Sequence, residues 1–366
     1  MIKKLENINL PYLYDNVNFR NTLTPLSPCF KLNFETATRE EYELFFYNLL
    51  KVSEYDLSLA HCLHHNHKAR VAIQSGKDSI IKDNLEKLDY HEVVGCYSGH
   101  RAIDTVRYDS INNTITAGTK SWISNLKSAD MCVFEVTETH VPLGMSAYTN
   151  YNYNSIPNVY VVYVDLTKIS HTITDGTLSP TAAGMTGASP GTLTINTPIK
   201  VDGISCSILE VNPRQNKNLT WLEFTRQCWA TQHFGMILGL YKELKKYPEA
   251  QDPSLSQRFK AMELEISSLK IMWEYGVQTK MHTSMEQFDR SAVISNSSAP
   301  HFFTTQYALS KKVLLDLIYL VLEIGINDFI DTNTIQWVKL KDAISFVTHM
   351  TSLSRCHSNQ FGYNNF

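Results

Sequence analysis

The run Ala117, Gly118, Thr119, Lys120, Ser121, Trp122, Ile123, Ser124, Asn125, followed by Ala129 and Asp130 ahead of the stretch 131–137, decides how this sequence is read. It lies inside a β-rich region. Residues 93–97, 114–117, 131–137, 159–164, 193–195 and 204–210 are short β-branched or aromatic runs separated by Asn, Gly, Pro and Ser. Their spacing predicts a β-sandwich or barrel over residues 89–215. The Tyr- and Asn-rich segment 148–157 reads as a surface loop or hairpin within it.

On both sides the texture turns helical. Thr38 and Glu41 have the spacing of a capping box, after which Tyr42, Phe45, Phe46, Leu49 and Leu50 recur at helical intervals. A second helix is predicted over 55–74, stopped near Gly76. Residues 1–88 therefore form an N-terminal helical domain. Beyond the β-region, 221–246 is an apolar-striped helix, and Asp252 with Pro253 is a cap and first turn for the next. There Leu255, Phe259, Met262, Ile266, Leu269 and Trp273 step by three and four, the period of a buried seam. Further helices are predicted over 305–323 and 335–349, making 216–366 an antiparallel bundle. The seam and the apolar segment 313–321 exceed what one small bundle should hide, which predicts a homo-oligomer.

Composition excludes other classes. With 43% hydrophobic and 19% charged residues, the 366-residue chain can bury a substantial core. A formal net charge of -3 provides no global positive field for nucleic acid or an anionic membrane. No signal-peptide core or membrane span is evident, so a cytoplasmic protein is expected. Seven scattered cysteines without a CxxC pair indicate neither a disulfide framework nor a zinc ribbon. His61, His64, His65 and His67 share helical faces, but with no acidic ligand nearby and no H-E-x-x-H pattern the expectation is no metal, and a role in lining a pocket.

The run 117–125 with Ala129 and Asp130 resembles the flavin-side signature of acyl-CoA dehydrogenases. Three further stretches agree in order. Residues 56–67 resemble that family's helix before its β-domain. Gly184, Met185, Thr186, Gly187, Ala188, Ser189 and Leu193 resemble its turn into the last strands, and Lys341, Asp342, Ala343 fall at an Arg-Asp-Ala stretch of its last bundle helix. The resemblance covers nearly the whole chain and implies an α+β multidomain fold: a shortened N-terminal helical domain, a central β-domain, a C-terminal antiparallel bundle, and a tetrameric assembly. It also implies FAD or FMN, with Trp122 packing on the ring, Ser124 hydrogen-bonding near N5, and Ser98 and Asn125 completing the cofactor contacts.

The acid that dehydrogenation of a thioester requires is evident at neither of the two places the family supplies it, the late stretch 347–352 containing none. Registering Arg226 and Gly235 with the family puts Thr225 at the expected Glu, leaving Glu223 as a candidate base two residues away. The C-terminal stretch through His349 resembles instead the two-component flavin-dependent monooxygenases of this fold, dibenzothiophene monooxygenase among them, which take reduced flavin from a reductase and use oxygen. That likeness makes His349 and Ser124 the catalytic candidates, with His65, His67 and Arg226 lining the substrate pocket. The Glu-Pro-x-x-Gly-Ser-Asp-like stretch is reduced to Cys96, Tyr97, Ser98, Gly99, His100, Arg101, and Thr186 replaces a basic residue, so phosphate contacts are fewer. Three readings stay open: an oxygenase with a flavin reductase partner, a dehydrogenase of a coenzyme A or carrier-protein thioester, and a scaffold that has lost its flavin.

Overall fold

The computed structural model describes residues 26–30, 32, 37–76, 94–99, 103–141, 158–175, 188, 191–211, 219–279, 299–332 and 334–349. The expected loop at 148–157 and most of the stretch 184–189 lie outside them.

Helix α1 (Arg39–Tyr55) opens with the expected capping box: Thr38 N–H donates to Glu41 Oε2 (2.8 Å), and Glu41 N–H to Thr38 Oγ1 (3.3 Å). The chain then breaks at Asp56, close to the predicted start of the second helix at 55. Asp56 is extended (φ -149°), and its carboxylate accepts the Leu59 N–H (2.8 Å), capping a new helix, α2 (Leu57–Ser75). Its burial raises the carboxyl pKa, an effect opposed by the Leu59 N–H and by Lys339.

Among the described residues ten strands follow: β1 (Gly95–Ser98), β2 (Tyr108–Asp109), β3 (Thr114–Ile115), β4 (Gly118–Ile123), β5 (Met131–Thr137), β6 (Val159–Asp165), β7 (His171–Asp175), β8 (Gly191–Ile195), β9 (Ile199–Lys200) and β10 (Cys206–Val211). They form three sheets, ordered β1-β5-β6-β10, β2-β3-β9 and β4-β8-β7, with only the β1–β5 pair parallel. Every residue of β5 is buried because the strand is covered on both faces. Its Cys132, Phe134 and Val136 enter the sandwich interior with Ile123, Leu126, Leu193 and Ile195. Met131 and Val133 point the other way, onto Ala69 and Ile73 of α2. The first helical layer thus lies directly on the sheet.

The C-terminal helices are α3 (Leu219–Leu244), α4 (Ser256–Thr279), α5 (Ala299–Ile324) and α6 (Ile335–His349). Contacts Tyr241–Phe259 and Phe234–Trp273 show α4 running antiparallel to α3, and Lys312–Glu265 with Arg258–Glu323 show it antiparallel to α5. The predicted seam is inside: Phe259, Met262, Leu269 and Trp273 are buried, with Leu255 and Ile266 packed against the core. Helix α5 starts six residues earlier than its apolar stripe suggests, with Pro300 in its first turn, and ends at Gly325 in the left-handed region (φ 71°). Within the apolar segment 313–321, Val313, Leu314, Leu317, Ile318, Leu320 and Val321 are buried within one chain, whereas Tyr319 is 65% exposed. No described helix is long and apolar enough to cross a membrane.

Candidate active site

The site is built where α2, the end of β4 and α3 converge. Strand β4 is fixed by a buried charge. Lys120, fully enclosed, puts its Nζ 2.6 Å from Asp104 Oδ2 and donates also to the carbonyls of Gly99 and Glu135 (2.8 Å each). The other oxygen of Asp104 accepts the Ser121 N–H (2.9 Å), so both buried ions have their hydrogen-bonding capacity engaged. After Ile123 the chain turns sharply. Asn125 is left-handed (φ 66°), its N–H donates to the Ala188 carbonyl (2.7 Å) and its Nδ2 reaches the Gly95 carbonyl (3.4 Å). Asp130 closes the unit by accepting the Val94 N–H (2.9 Å). This turn presents Ser124, which is half-buried.

Helix α2 is placed by polar ties at three levels. Ser58 donates to Asp342 of α6 (2.7 Å), Cys62 Sγ faces the Ala188 carbonyl, and Asn66 Oδ1 accepts the Gly95 N–H of β1 (2.8 Å). These ties direct His61 at Ser124: His61 Nε2 lies 3.0 Å from Ser124 Oγ, and its Nδ1 lies 3.2 Å from Gln232 Oε1 of α3. Gln232 Nε2 contacts His64 Nδ1 (3.1 Å) and the Cys228 carbonyl (3.2 Å). His65 Nδ1 donates to the Tyr97 carbonyl (3.0 Å) and its ring lies 4.3 Å from that of His61. Phe346 of α6 closes the group, edge-on to His61 at 5.5 Å.

Ligand atoms of His61, His64 and His65 lie within 4.8 Å of one another, a closer convergence than the sequence suggested. Hydrogen bonding nevertheless separates them. The Cys228 carbonyl identifies the donor end of the Gln232 amide, so His64 Nδ1 accepts and the neutral ring carries its proton on Nε2. His61 and His65, whose Nδ1–H groups are taken by oxygens, carry lone pairs on Nε2. Three convergent lone pairs, as a metal cage requires, are therefore absent from this arrangement. Burial, with the neighbouring His65 and Lys68 adding to it, depresses the His64 pKa well below the ordinary value and keeps the ring neutral.

The structure thus brings Ser124 and His65 to the same ring, that of His61, and both are half-buried. Asn125 is enclosed beneath the turn and shapes it. Ser98 is buried in β1, its Oγ donating to the Gly99 carbonyl (3.3 Å). His67 is directed away, its ring 4.7 Å from that of Phe45 in the helical core, with its pKa lowered by burial to about 3. Trp122 lies in β4, Glu223 and Arg226 in the first turns of α3 and His349 at the end of α6; their side chains are outside the described ones. Sequence reasoning missed the roles of His61 and Gln232. The i, i+4 spacing of His61 and His65 was the available signal; nothing in sequence pointed to Gln232.

No family model and no curated protein matches the sequence. Solved structures do match the fold. Glutaryl-coenzyme A dehydrogenase in its glutaryl-CoA complex aligns with a TM-score of 0.75 at 12% identity, over 98% of this chain and 92% of that one. This is the acyl-CoA dehydrogenase fold. The same architecture is found in the FAD complex of PigA (TM-score 0.71, 10% identity, 99% and 94% covered). It recurs in TdsC from Paenibacillus sp. A11-2 with FMN and indole (TM-score 0.65, 12% identity, 99% and 96% covered). Within the acyl-CoA dehydrogenase fold, Ser124, His61 and Gln232 come from the β-domain, the helix before it and the first bundle helix.

Proposed function

We propose that this chain is a flavin-dependent oxidoreductase, and specifically a monooxygenase that uses reduced flavin and oxygen. The observation that carries the reading is the Ser124–His61–Gln232 chain just beyond the end of β4 in this fold. The residues present suit a flavin. A hydroxyl is held by a rigid turn, an imidazole stands behind it, and the Asn125 Oδ1 buried under the turn has no hydrogen-bond partner. Solved relatives of the fold with FAD and with FMN support the cofactor class. On this reading Ser124 faces the N5 edge of the ring, Trp122 the ring plane, and His65 the substrate side, with Arg226 as a further candidate for the pocket; His67, turned into the helical core, is not one.

When bound, a reduced flavin supplies two electrons to oxygen. The protein holds and moves protons beside it. The hydrogen-bonded set around Ser124 is composed of imidazole, amide and hydroxyl groups, which suits proton exchange near neutrality better than the α-proton abstraction a carboxylate performs. His349, at the end of α6, is the second proton-handling candidate, whereas Glu223 is the base on the dehydrogenase reading. The partners that follow are a flavin reductase and a small organic substrate, in place of an acyl carrier protein and its thioester. We read the assembly as a homo-oligomer.

The test is direct titration of the full-length protein with FAD and FMN, each oxidised and dithionite-reduced, following tryptophan fluorescence. Micromolar or tighter binding of either flavin, with oxygen uptake when a reductase regenerates the reduced form, is the expected result. Failure of both flavins to bind at tens of micromolar overturns the reading in favour of a flavin-free scaffold.

A further inference from the structure

We infer that the β-domain carries a second binding site, built on Arg107 and Thr137, for the phosphate or carboxylate group of a small ligand. It is separate from the Ser124 turn and does not depend on the flavin reading.

Arg107 immediately precedes β2 and is only 4% exposed. Its guanidinium has five N–H groups in one plane. The two on Nη1 are spent on backbone, donating to the carbonyls of Asp104 (2.6 Å) and Val106 (2.9 Å), and these bonds fix the plane. The other three, on Nε and Nη2, have no hydrogen-bond partner. Nε–H and one Nη2–H leave the same edge of the plane in parallel, the fork that matches two oxygens of a phosphate or a carboxylate.

No described acid occupies that edge. Asp104 gives Oδ2 to Lys120 (2.6 Å) and Oδ1 to the Ser121 N–H (2.9 Å). Glu135 Oε1 accepts from the Tyr97 hydroxyl (2.7 Å), and Glu138 from the Tyr160 hydroxyl. Lys120 and Asp104 already cancel one another, so the charge of Arg107 is left over. Burial lowers its pKa, with Asp104 opposing the shift. Cations this enclosed are ordinarily paired, and a bound anion would supply the pair.

Thr137 stands beside this edge. The parallel bridge between Tyr108 and Glu138, with the Thr139 N–H donating to the Tyr108 carbonyl (3.0 Å), sets Arg107 level with Thr137. Tyr108 and Glu138 both reach Tyr160, so alternation turns Arg107 and Thr137 together to the opposite face. Thr137 is fully buried, and its Oγ1 also has no hydrogen-bond partner. Two neighbouring side chains with unpaired polar atoms are uncommon in a folded interior. Together they offer an oxoanion two parallel N–H groups and one O–H. Arg107 pairs through its backbone with Thr116, ahead of β4, whereas Ser124 follows that strand. The six residues of β4 separate the two sites by roughly 16 Å at about 3.3 Å per residue.

The experiment is calorimetric titration of the full-length protein with inorganic phosphate and, separately, with acetate, each at constant ionic strength set with chloride. Saturable binding of one equivalent of either anion is the expected result, and the tighter of the two identifies the ligand group. Arg107→Met should abolish it. Thr137→Val, which keeps the shape of the side chain, should weaken it about tenfold, as loss of one hydrogen bond to a charged group implies. Arg107→Lys keeps the charge without the fork and should also weaken it about tenfold; these two variants serve where Arg107→Met does not fold. Failure of both anions to bind at tens of millimolar, or binding that the variants leave unchanged, overturns the inference.

Discussion

Buried imidazoles are costly to protonate, and this chain contains several. Burial lowers the pKa of His67 to about 3 and that of His233 to about 3, Arg70 and Lys311 respectively adding a smaller push in the same direction, and His64 is depressed by burial and its basic neighbours. His233 is stacked on Tyr307 at 5.1 Å, and its Nδ1 lies 3.1 Å from Ser310 Oγ, whose own proton goes to the Tyr307 carbonyl. The unfolded chain takes up protons at these positions below the ordinary histidine value of 6.5, whereas the folded chain does not until far lower pH. Stability is therefore fully present above 6.5 and is lost as pH falls from there toward 3, at about 1.4 kcal/mol per pH unit for each such histidine. Urea midpoints measured at pH 7.5, 6.5 and 5.5 should fall in that order. His67→Gln should flatten the slope by about one proton, and a midpoint independent of pH over this range would show that the rings protonate freely in the folded state.

At the scale of elements, α1 and α3 approach so closely that side chains are excluded from the crossing. A Cβ at Gly239 would lie 2.3 Å from the Glu54 carbonyl oxygen, and one at Gly235 would lie 2.6 Å from the Leu50 carbonyl oxygen and 2.5 Å from Ser53 Cβ. The nearest atoms are mostly backbone, which a rotamer change cannot relieve. Gly239→Ala should therefore cost about 1–3 kcal/mol as overpacking, read as a drop in the urea midpoint. It should also weaken flavin binding, because Gln232 lies two turns earlier on the displaced helix; an unchanged midpoint would mean that α1 and α3 slide freely. This crossing shows where sequence reading stops. The capping box at Thr38, the seam from Leu255 to Trp273 and the continuous run of β5 were legible because each is a local periodicity or a local hydrogen bond. The break between α1 and α2 was legible at residue 55, but the role of Asp56 as the cap of α2 was not. Nor were β2 and β9, two-residue strands that exist only through their pairing with β3, whose own residues lie in the predicted run 114–117. In the site, Ser124 was picked out by the resemblance of the run 117–125 and His65 as one of four closely spaced histidines, but His61 meets Ser124 across 63 residues and Gln232 across 171, and only the packing of α2 between β1 and α3 joins them.

For the whole molecule, the question is which apolar surface the single chain leaves open. The apolar residues of 313–321 are internal apart from the exposed Tyr319 and the partly buried Leu315. Helix α4 does present an outer stripe: Leu264, Ile271 and Tyr275 are 71%, 67% and 56% exposed, at i, i+7 and i+11 on one face. Charged pairs border it, Lys245 with Glu263, Lys312 with Glu265, and Lys270 with Glu274, giving the apolar centre and polar rim of an association surface. Two copies related by a twofold axis would bring the stripes together without needing any other patch. Light scattering should then give a mass at least twice the 41.7 kDa of one chain. The double substitution Leu264→Glu with Ile271→Glu should return it to the single-chain mass, since like charges would face one another across the axis. The fold of each copy should survive, because neither side chain enters its own core, and far-ultraviolet circular dichroism of the variant checks this. A single-chain mass for the unaltered protein at micromolar concentration would remove the homo-oligomer from the proposed function and leave α4 as an exposed helix of a monomer.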